Sequence, residues 1–133
     1  MTVASPQGGK APVDPRSLTE EANPDNADEA LRVLKDTVRL STVDLESFDA
    51  VFFPGGHGTM FDLPKSTSVR KTVEHFLRAG RPTALVCHGP AALVNATGRD
   101  GEPIVKGRAL TAFTNAEEHA VELADAMPFL LQD

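Results

Sequence analysis

Residues 84–93 of this chain read Ala84-Leu85-Val86-Cys87-His88-Gly89-Pro90-Ala91-Ala92-Leu93. An apolar run meets small residues and then a helical pattern, which predicts a strand, a one-residue turn and a helix, the arrangement of a nucleophile elbow. Such a turn holds its central residue, Cys87, in a sparsely populated backbone conformation and pushes its side chain out over the sheet edge. Because the amide groups that begin the next helix favour a thiolate, the stretch indicates cysteine chemistry.

Cys87 is the only cysteine in the chain, and an inert core thiol is the alternative interpretation, since free cysteine is among the residues most often buried. Two neighbouring features favour catalysis. His88 follows Cys87 directly, and a second glycine turn lies upstream in Phe53-Pro54-Gly55-Gly56-His57-Gly58. With both turns counted, the catalytic interpretation is the stronger one.

Length, charge and cysteine content limit the classes of protein that fit. At 133 residues the chain has room for one modest core, and we expect residues 1–133 to form a single domain. The 13 Lys and Arg against 19 Asp and Glu give a net charge of −6, and the basic residues are scattered, which disfavours a nucleic-acid partner. With no disulfide pair, no leader and no apolar run of about 18 residues, we expect a cytoplasmic protein without membrane contact.

Hydrophobic periodicity along the chain alternates between strands and helices. The patterns predict strands over residues 1–5, 49–53, 82–86 and 108–113. They predict helices from Ala27 to Val38, capped by Asp25 or Asn26, from Ser66 or Ser68 to Gly80, over residues 88–96, and from Thr114 or Asn115 to Ala126. Residues 6–24 are expected to form a long loop and residues 98–107 a turn or hairpin arm. This order is typical of an α/β fold with a mostly parallel sheet, in which ligands bind beyond the carboxyl ends of the strands.

A thiolate nucleophile needs a base, an oxyanion site and a group that orients the base. His88 is the imidazole nearest to the nucleophile. Backbone amides of Gly55 or Gly56 and of His88 are candidates for the oxyanion site, because glycine permits close approach. The orienting acid is Glu117 or Glu118, although acids are also common in the first turn of a helix because they complement its dipole.

His57 is expected to bind substrate or to lie near His88. The spacing of these two histidines matches no metal motif, and one cysteine without a CxxC pair gives no structural zinc site, so we predict no metal. The sequence contains no GxGxxG or GxxxxGK[ST] run, so no nucleotide cofactor is expected either.

Four segments together resemble the ThiJ/PfpI superfamily, a branch of the class I glutamine amidotransferase-like fold. They are Phe48-Asp49-Ala50-Val51-Phe52-Phe53-Pro54-Gly55-Gly56-His57-Gly58, Ala84-Leu85-Val86-Cys87-His88-Gly89-Pro90-Ala91, Gly101-Glu102-Pro103-Ile104-Val105-Lys106-Gly107 and Thr111-Ala112-Phe113-Thr114-Asn115-Ala116-Glu117-Glu118. The similarity runs from Thr2 to Leu131. Within the superfamily it is closest to the heat-inducible, chaperone-like members that act as glutathione-independent glyoxalase III.

The resemblance implies a flavodoxin-like three-layer sandwich, usually a homodimer, with Cys87, His88 and Glu118 as its catalytic constellation. In the family's glyoxalase reaction the thiolate adds to the aldehyde of methylglyoxal, a proton moves between adjacent carbons, and water releases lactate without a cofactor. Related members are described as deglycases, amidases, peptidases or holdase chaperones. A noncatalytic stress protein with an oxidisable Cys87 and an amide- or peptide-hydrolysing enzyme therefore stay open as alternatives.

The sequence also departs from the family pattern. Family members carry a strand–helix unit ahead of the part that matches Met1–Ser5, including a glutamate beside the nucleophile, and a last strand and helix beyond the part that matches Asp133. The first of these strands is central in the family's sheet, so a sheet without it is expected to have unpaired edges and uncovered apolar faces. We therefore expect the 133-residue chain alone to be poorly stable and weakly active or inactive.

Overall fold

The computed structural model describes residues 1–19 and 27–133. These residues form two compact units, Met1–Val43 and Asp44–Asp133. The predicted helix caps Asp25 and Asn26 lie outside the described residues, and a single domain over residues 1–133 stays a prediction. No helix in the described part of the chain is long and apolar enough to cross a membrane.

The first unit contains β1 (Ala4–Ser5), α1 (Ala27–Leu34) and β2 (Val38–Arg39). β1 and β2 pair in parallel with Ala4 opposite Val38. The buried Thr37 holds the unit together, because its hydroxyl donates to the carbonyl of Gly9 at 2.8 Å and lies 2.7 Å from the Ser5 hydroxyl. The helix predicted from Ala27 is confirmed as far as Leu34, but Val38, the last apolar position of that prediction, lies in β2, where it pairs with β1. The first strand is shorter than predicted, and a 3-10 helix at Pro15–Leu18 interrupts the predicted loop.

The second unit contains β3 (Val51–Phe53), α2 (Thr59–Asp62), α3 (Thr67–Arg78), β4 (Thr83–Leu85) and α4 (Asn115–Ala120). β3 and β4 pair in parallel, with Phe52 opposite Ala84 and Phe53 opposite Leu85. Their carboxyl ends therefore lie side by side, and the two glycine turns follow directly. The predicted α/β order with parallel pairing is confirmed.

α3 covers the inner face of this strand pair. Ser66 caps the helix, since its hydroxyl accepts a hydrogen bond from the amide of Val69 at 3.3 Å. The buried residues of α3 recur at i, i+3, i+4 and i+7, the spacing of one helix face; they are Val69, Thr72, Val73 and Phe76. Gly80, at φ +67°, takes the left-handed conformation that ends the helix.

The outer face of the same strand pair is open. Phe52 is 60% exposed, Val86, just beyond β4, is 50% exposed, and Ala84 is also exposed. By contrast Phe53, the neighbour of Phe52 on the inner face, is 7% exposed. The uncovered apolar face expected from the sequence is thus present in the described part of the chain.

The strand predicted over residues 108–113 is wrong. Leu110 is 57% exposed, and no described segment forms a ladder with residues 108–112, so their backbone has no strand to pair with. At the end of this segment the Phe113 amide donates to the carbonyl of Cys87, in the turn after β4, at 3.1 Å.

Two predicted helices of the second unit are shorter than expected. Residues 88–96 form only a 3-10 helix at Gly89–Leu93, because the elbow closes with tight bonds such as that from the Gly89 amide to the Val86 carbonyl. α4 ends at Ala120 rather than Ala126. Glu122 takes φ +60°, and the Leu123 amide bonds to the Glu118 carbonyl, which closes the helix and leaves a separate 3-10 turn at Ala124–Ala126.

Candidate active site

The turn that follows β4 is an elbow. Cys87 has φ +58°, one of two described non-glycine residues with positive φ, and such a conformation costs free energy for a side chain with a Cβ. The Gly89 amide closes the turn by donating to the Val86 carbonyl at 2.7 Å. Cys87 is exposed. The predicted backbone geometry is confirmed, although the helix behind it is only one short 3-10 segment and supplies a smaller dipole than the sequence indicated.

Two glycines allow the elbow and the upstream glycine turn to approach each other. A Cβ on Gly55 would lie 2.6 Å from the Cβ of Cys87 and 2.7 Å from the carbonyl oxygen of Val86. A Cβ on Gly89 would collide with the carbonyl oxygen of Phe53. Both positions therefore need glycine for the close contact itself.

Cys87, His88 and Glu118 form a hydrogen-bonded row. The Cys87 Sγ lies 3.3 Å from His88 Nδ1, and His88 Nε2 lies 2.7 Å from Glu118 Oε2. Because an ionised carboxylate only accepts hydrogen bonds, His88 Nε2 carries a hydrogen, and in the neutral tautomer of the ring Nδ1 faces the sulfur as an acceptor. His88 is 0% and Glu118 2% exposed, so the pair is held inside the unit while the thiol reaches solvent.

The start of α4 separates the two candidate acids. Glu117 belongs to a capping box: its carboxylate accepts from the Thr114 amide at 2.8 Å, and its own amide donates to the Thr114 hydroxyl. Glu118 follows about 100° further around the helix and turns inward to His88. The structure thus places Glu118, and not Glu117, beside the elbow.

His57 occupies the second oxygen of the same carboxylate. Its Nε2 lies 2.8 Å from Glu118 Oε1, and its ring centroid lies 4.3 Å from that of His88. Of the two placements predicted for His57, the structure shows the one near His88. The bond to Glu118 had no signal in the sequence, because the two residues are 61 positions apart and meet only through the folded turns.

Two opposing effects act on the Glu118 carboxyl. Burial raises its pKa, but hydrogen bonds from His88 and His57, together with their charge when protonated, lower it by more. The pKa of Glu118 therefore lies below the ordinary value of 4.5. At neutral pH the group is an anion that accepts from both imidazoles.

Phe113 is a site residue that the sequence did not single out. Its ring centroid lies 4.3 Å from that of His88 and 5.8 Å from that of His57. The hydrogen bond from its amide to the Cys87 carbonyl fixes it against the elbow. Phe113 thus forms an apolar wall that keeps the His88 ring in place; its position at the end of a predicted strand was the only signal available.

The two turns carry the amides that the sequence indicates as oxyanion donors. Among the described residues the amide of Gly55 has no hydrogen-bond acceptor, and neither have the amides of His88 and of Gly56, which has φ +100°. The Thr59 hydroxyl contacts the carbonyls of Gly56 and His88, at 2.8 and 3.1 Å, and so connects the two turns. These amides remain available to bind an oxyanion, and that role stays a prediction.

His57, His88 and Glu118 also offer metal-ligating atoms that lie within 4.8 Å of one another. Their N–O separations of 2.7 and 2.8 Å are those of charge-assisted hydrogen bonds. Ligands about 2.0–2.2 Å from one zinc ion stand roughly 3 Å or more apart. The arrangement suits protons better than a metal ion, and the predicted absence of a metal stays a prediction.

The fold agrees with comparisons to known proteins. The model of the DJ-1/PfpI family matches residues 16–127, and the chain belongs to this family. Glyoxalase 3 of Candida albicans is 34% identical over 105 residues, which cover 77% of this chain and 44% of that protein.

Solved structures agree over most of the chain. One crystal structure, 52% identical in sequence, superposes with a TM-score of 0.90 over 98% of this chain and 58% of its own. The crystal structure of glyoxalase III from Candida albicans, 28% identical, superposes with a TM-score of 0.83 over 94% of this chain and 56% of its own. The chain has the flavodoxin-like α/β fold of its family and spans about half the length of these relatives.

Proposed function

We propose that this chain carries the nucleophilic site of a glutathione-independent glyoxalase, which converts methylglyoxal to lactate through a covalent intermediate on Cys87. The hydrogen-bonded row from Cys87 through His88 to Glu118 carries the proposal. Support for the substrate class comes from the relatives named glyoxalase 3 and glyoxalase III. A small aldehyde is the proposed partner, and a homodimer in the cytoplasm is the further expectation.

Each residue of the row has a defined part in the reaction. His88 Nδ1 takes the thiol proton while the Cys87 sulfur adds to the aldehyde carbon, and Glu118 stabilises the imidazolium that forms. The His88 amide, together with that of Gly55 or Gly56, binds the developing oxyanion. After a proton has moved from the aldehyde carbon to its neighbour, water hydrolyses the thioester and releases lactate. No redox cofactor is needed, because one carbon is oxidised while the next is reduced.

Lactate formation without glutathione tests this proposal. The purified chain is incubated with methylglyoxal and compared with Cys87→Ala and with the exposed control His119→Gln. Because the row from Cys87 to Glu118 is intact, we expect slow but measurable lactate formation by the wild type and the control. We expect a loss of about 10³-fold or more in Cys87→Ala. Equal turnover by wild type and Cys87→Ala would contradict the assignment. Release of ammonia or of a chromogenic amine instead of lactate would favour an amidase or peptidase.

The outer face of β3 and β4 favours one second candidate, a holdase. Phe52 and Val86 present apolar surface that would bind an unfolding client. A holdase of this kind suppresses aggregation of a model client in Cys87→Ala as well as in wild type, and loses that effect in Phe52→Ser. Failure of the wild type to suppress aggregation would exclude it.

A further inference from the structure

His57 and His88 stand in equivalent positions on one carboxylate. Each ring presents Nε2 to a different oxygen of Glu118, at 2.8 and 2.7 Å. Because the carboxylate only accepts, each Nε2 carries a hydrogen, and a neutral ring then has its lone pair on Nδ1. In His88 that lone pair faces the Cys87 sulfur. In His57 it has no hydrogen-bond partner among the residues that the structure describes.

The two imidazole rings differ in their exposure to solvent. His88 is fully buried, whereas the His57 side chain is 25% exposed and lies at the rim of the site. The ring centroids are only 4.3 Å apart, so a small molecule bonded to Cys87, beside the Nδ1 edge of His88, is also close to the His57 ring. Phe113 contacts both rings and limits their movement.

The proposed reaction includes several proton transfers, at two carbons and at their two oxygens. A single imidazole beside the sulfur is poorly placed to carry out all of them. A proton must leave the carbon bonded to sulfur and arrive at the next carbon, while the oxygens of both carbons also change their protonation. Resting on the proposed function, we infer that His57 is a second acid–base catalyst, whose Nδ1 carries the proton from the first carbon to the second carbon of an α-oxoaldehyde held on Cys87.

The step balances without a further reactant. In the hemithioacetal, His57 Nδ1 takes the proton of the sulfur-bound carbon, the freed electron pair forms a carbon–carbon double bond, and the ketone oxygen becomes an enediolate oxygen. The protonated His57 then returns the proton to the second carbon. The hydroxyl proton of the first carbon passes through His88 to the second oxygen, the carbon–oxygen double bond of a thioester forms, and both imidazoles regain their starting state. This assignment restricts substrates to aldehydes with an adjacent carbonyl.

His57→Gln separates proton transfer from hydrogen bonding. The amide nitrogen of glutamine reaches about as far as Nε2 and still donates to Glu118, but glutamine has no basic nitrogen. His119→Gln on the exposed side of α4 is the matched control. Two rates are measured on each 133-residue chain: lactate formation from methylglyoxal, and alkylation of Cys87 by iodoacetamide, which reports the Cys87–His88–Glu118 row alone.

We expect His57→Gln to lose about 10²-fold or more in lactate formation, while its alkylation rate stays within about twofold of wild type and His119→Gln changes neither rate. Lactate formation within about threefold of wild type would overturn the role of His57. A parallel loss of alkylation would also overturn it, because it would make His57 a support for the row. A wild type that forms no lactate would contradict the proposed function itself and this inference with it.

Discussion

The carboxyl ends of β3 and β4 are closely packed, whereas the outer face of the same two strands is exposed. At the ends, two buried or half-buried imidazoles share the buried Glu118 carboxylate, and glycines let the turns touch. On the outer face Phe52 and Val86 are at least half exposed. The geometry of the site therefore depends on the turns and the inner face, and the outer face can be changed without disturbing the nucleophile.

Among these comparisons, the largest loss of lactate formation is expected from a change where the two turns touch. Gly55→Ala places a Cβ against the backbone of Val86 and the Cβ of Cys87, so the elbow must shift. We expect loss of lactate formation by about 10³-fold and a fall in the free energy of unfolding of about 1–3 kcal/mol. Gly58→Ala is the control, because its Cβ meets nothing within 4 Å and its φ is −55°. Equal behaviour of the two variants would contradict the close contact.

Two adjacent acids give the next comparison. Glu118→Gln removes the anion that orients His88, and we expect Cys87 alkylation and lactate formation to fall by about 10²-fold or more with the fold retained. Glu117→Gln alters only the exposed capping box, in which glutamine can replace glutamate, so we expect a small change in stability and turnover close to wild type. The account of the site fails if Glu117→Gln is the damaging change.

Neighbouring phenylalanines test the two faces directly. Phe53→Ala opens a cavity in the core and should lower the free energy of unfolding by about 3–5 kcal/mol. Phe52→Ala should change it by about 0.5 kcal/mol or less and leave the alkylation rate unchanged. Urea unfolding of both variants measures the difference. A large loss in Phe52→Ala would mean that the outer face is not free.

The smallest expected effect is a pH dependence. Because the pKa of folded Glu118 lies below its ordinary value of 4.5, its contribution to stability is complete above that value and is lost as pH falls through the lower, folded pKa. The free energy of unfolding of wild type should therefore fall more steeply between about pH 5 and 3 than that of Glu118→Gln. Parallel curves in urea unfolding at these pH values would exclude a stabilising role of the carboxylate.

The features that were predicted correctly are those encoded in short stretches of the sequence. The spacing of Val69, Val73 and Phe76 with a cap at Ser66 defines α3 without reference to the rest of the chain. The elbow at Cys87 follows from an apolar run that meets small residues. The resemblance to a family motif indicated Glu118. Because Glu117 and Glu118 point about 100° apart around the helix, only one of them can turn toward the elbow.

The remaining features depend on contacts between distant segments. Residues 108–113 have the composition of a strand, but a strand needs a neighbour, and composition does not reveal whether one is present. The end of α4 at Ala120 is set by the positive φ of Glu122, which no glycine announces. The bond between His57 and Glu118 exists only because two turns meet at the ends of parallel strands.

The central claim is that Cys87, His88 and Glu118 act as one unit. Cys87 is the only cysteine, so the rate of alkylation by iodoacetamide at pH 7 measures the reactivity of this one thiol. The measurement compares wild type, His88→Gln, Glu118→Gln and the double variant, each checked for folding by its melting transition. Because Glu118 acts on the sulfur only through His88, we predict that the double variant reacts no more slowly than His88→Gln alone. A double variant slowed by the product of the two single effects would contradict the claim.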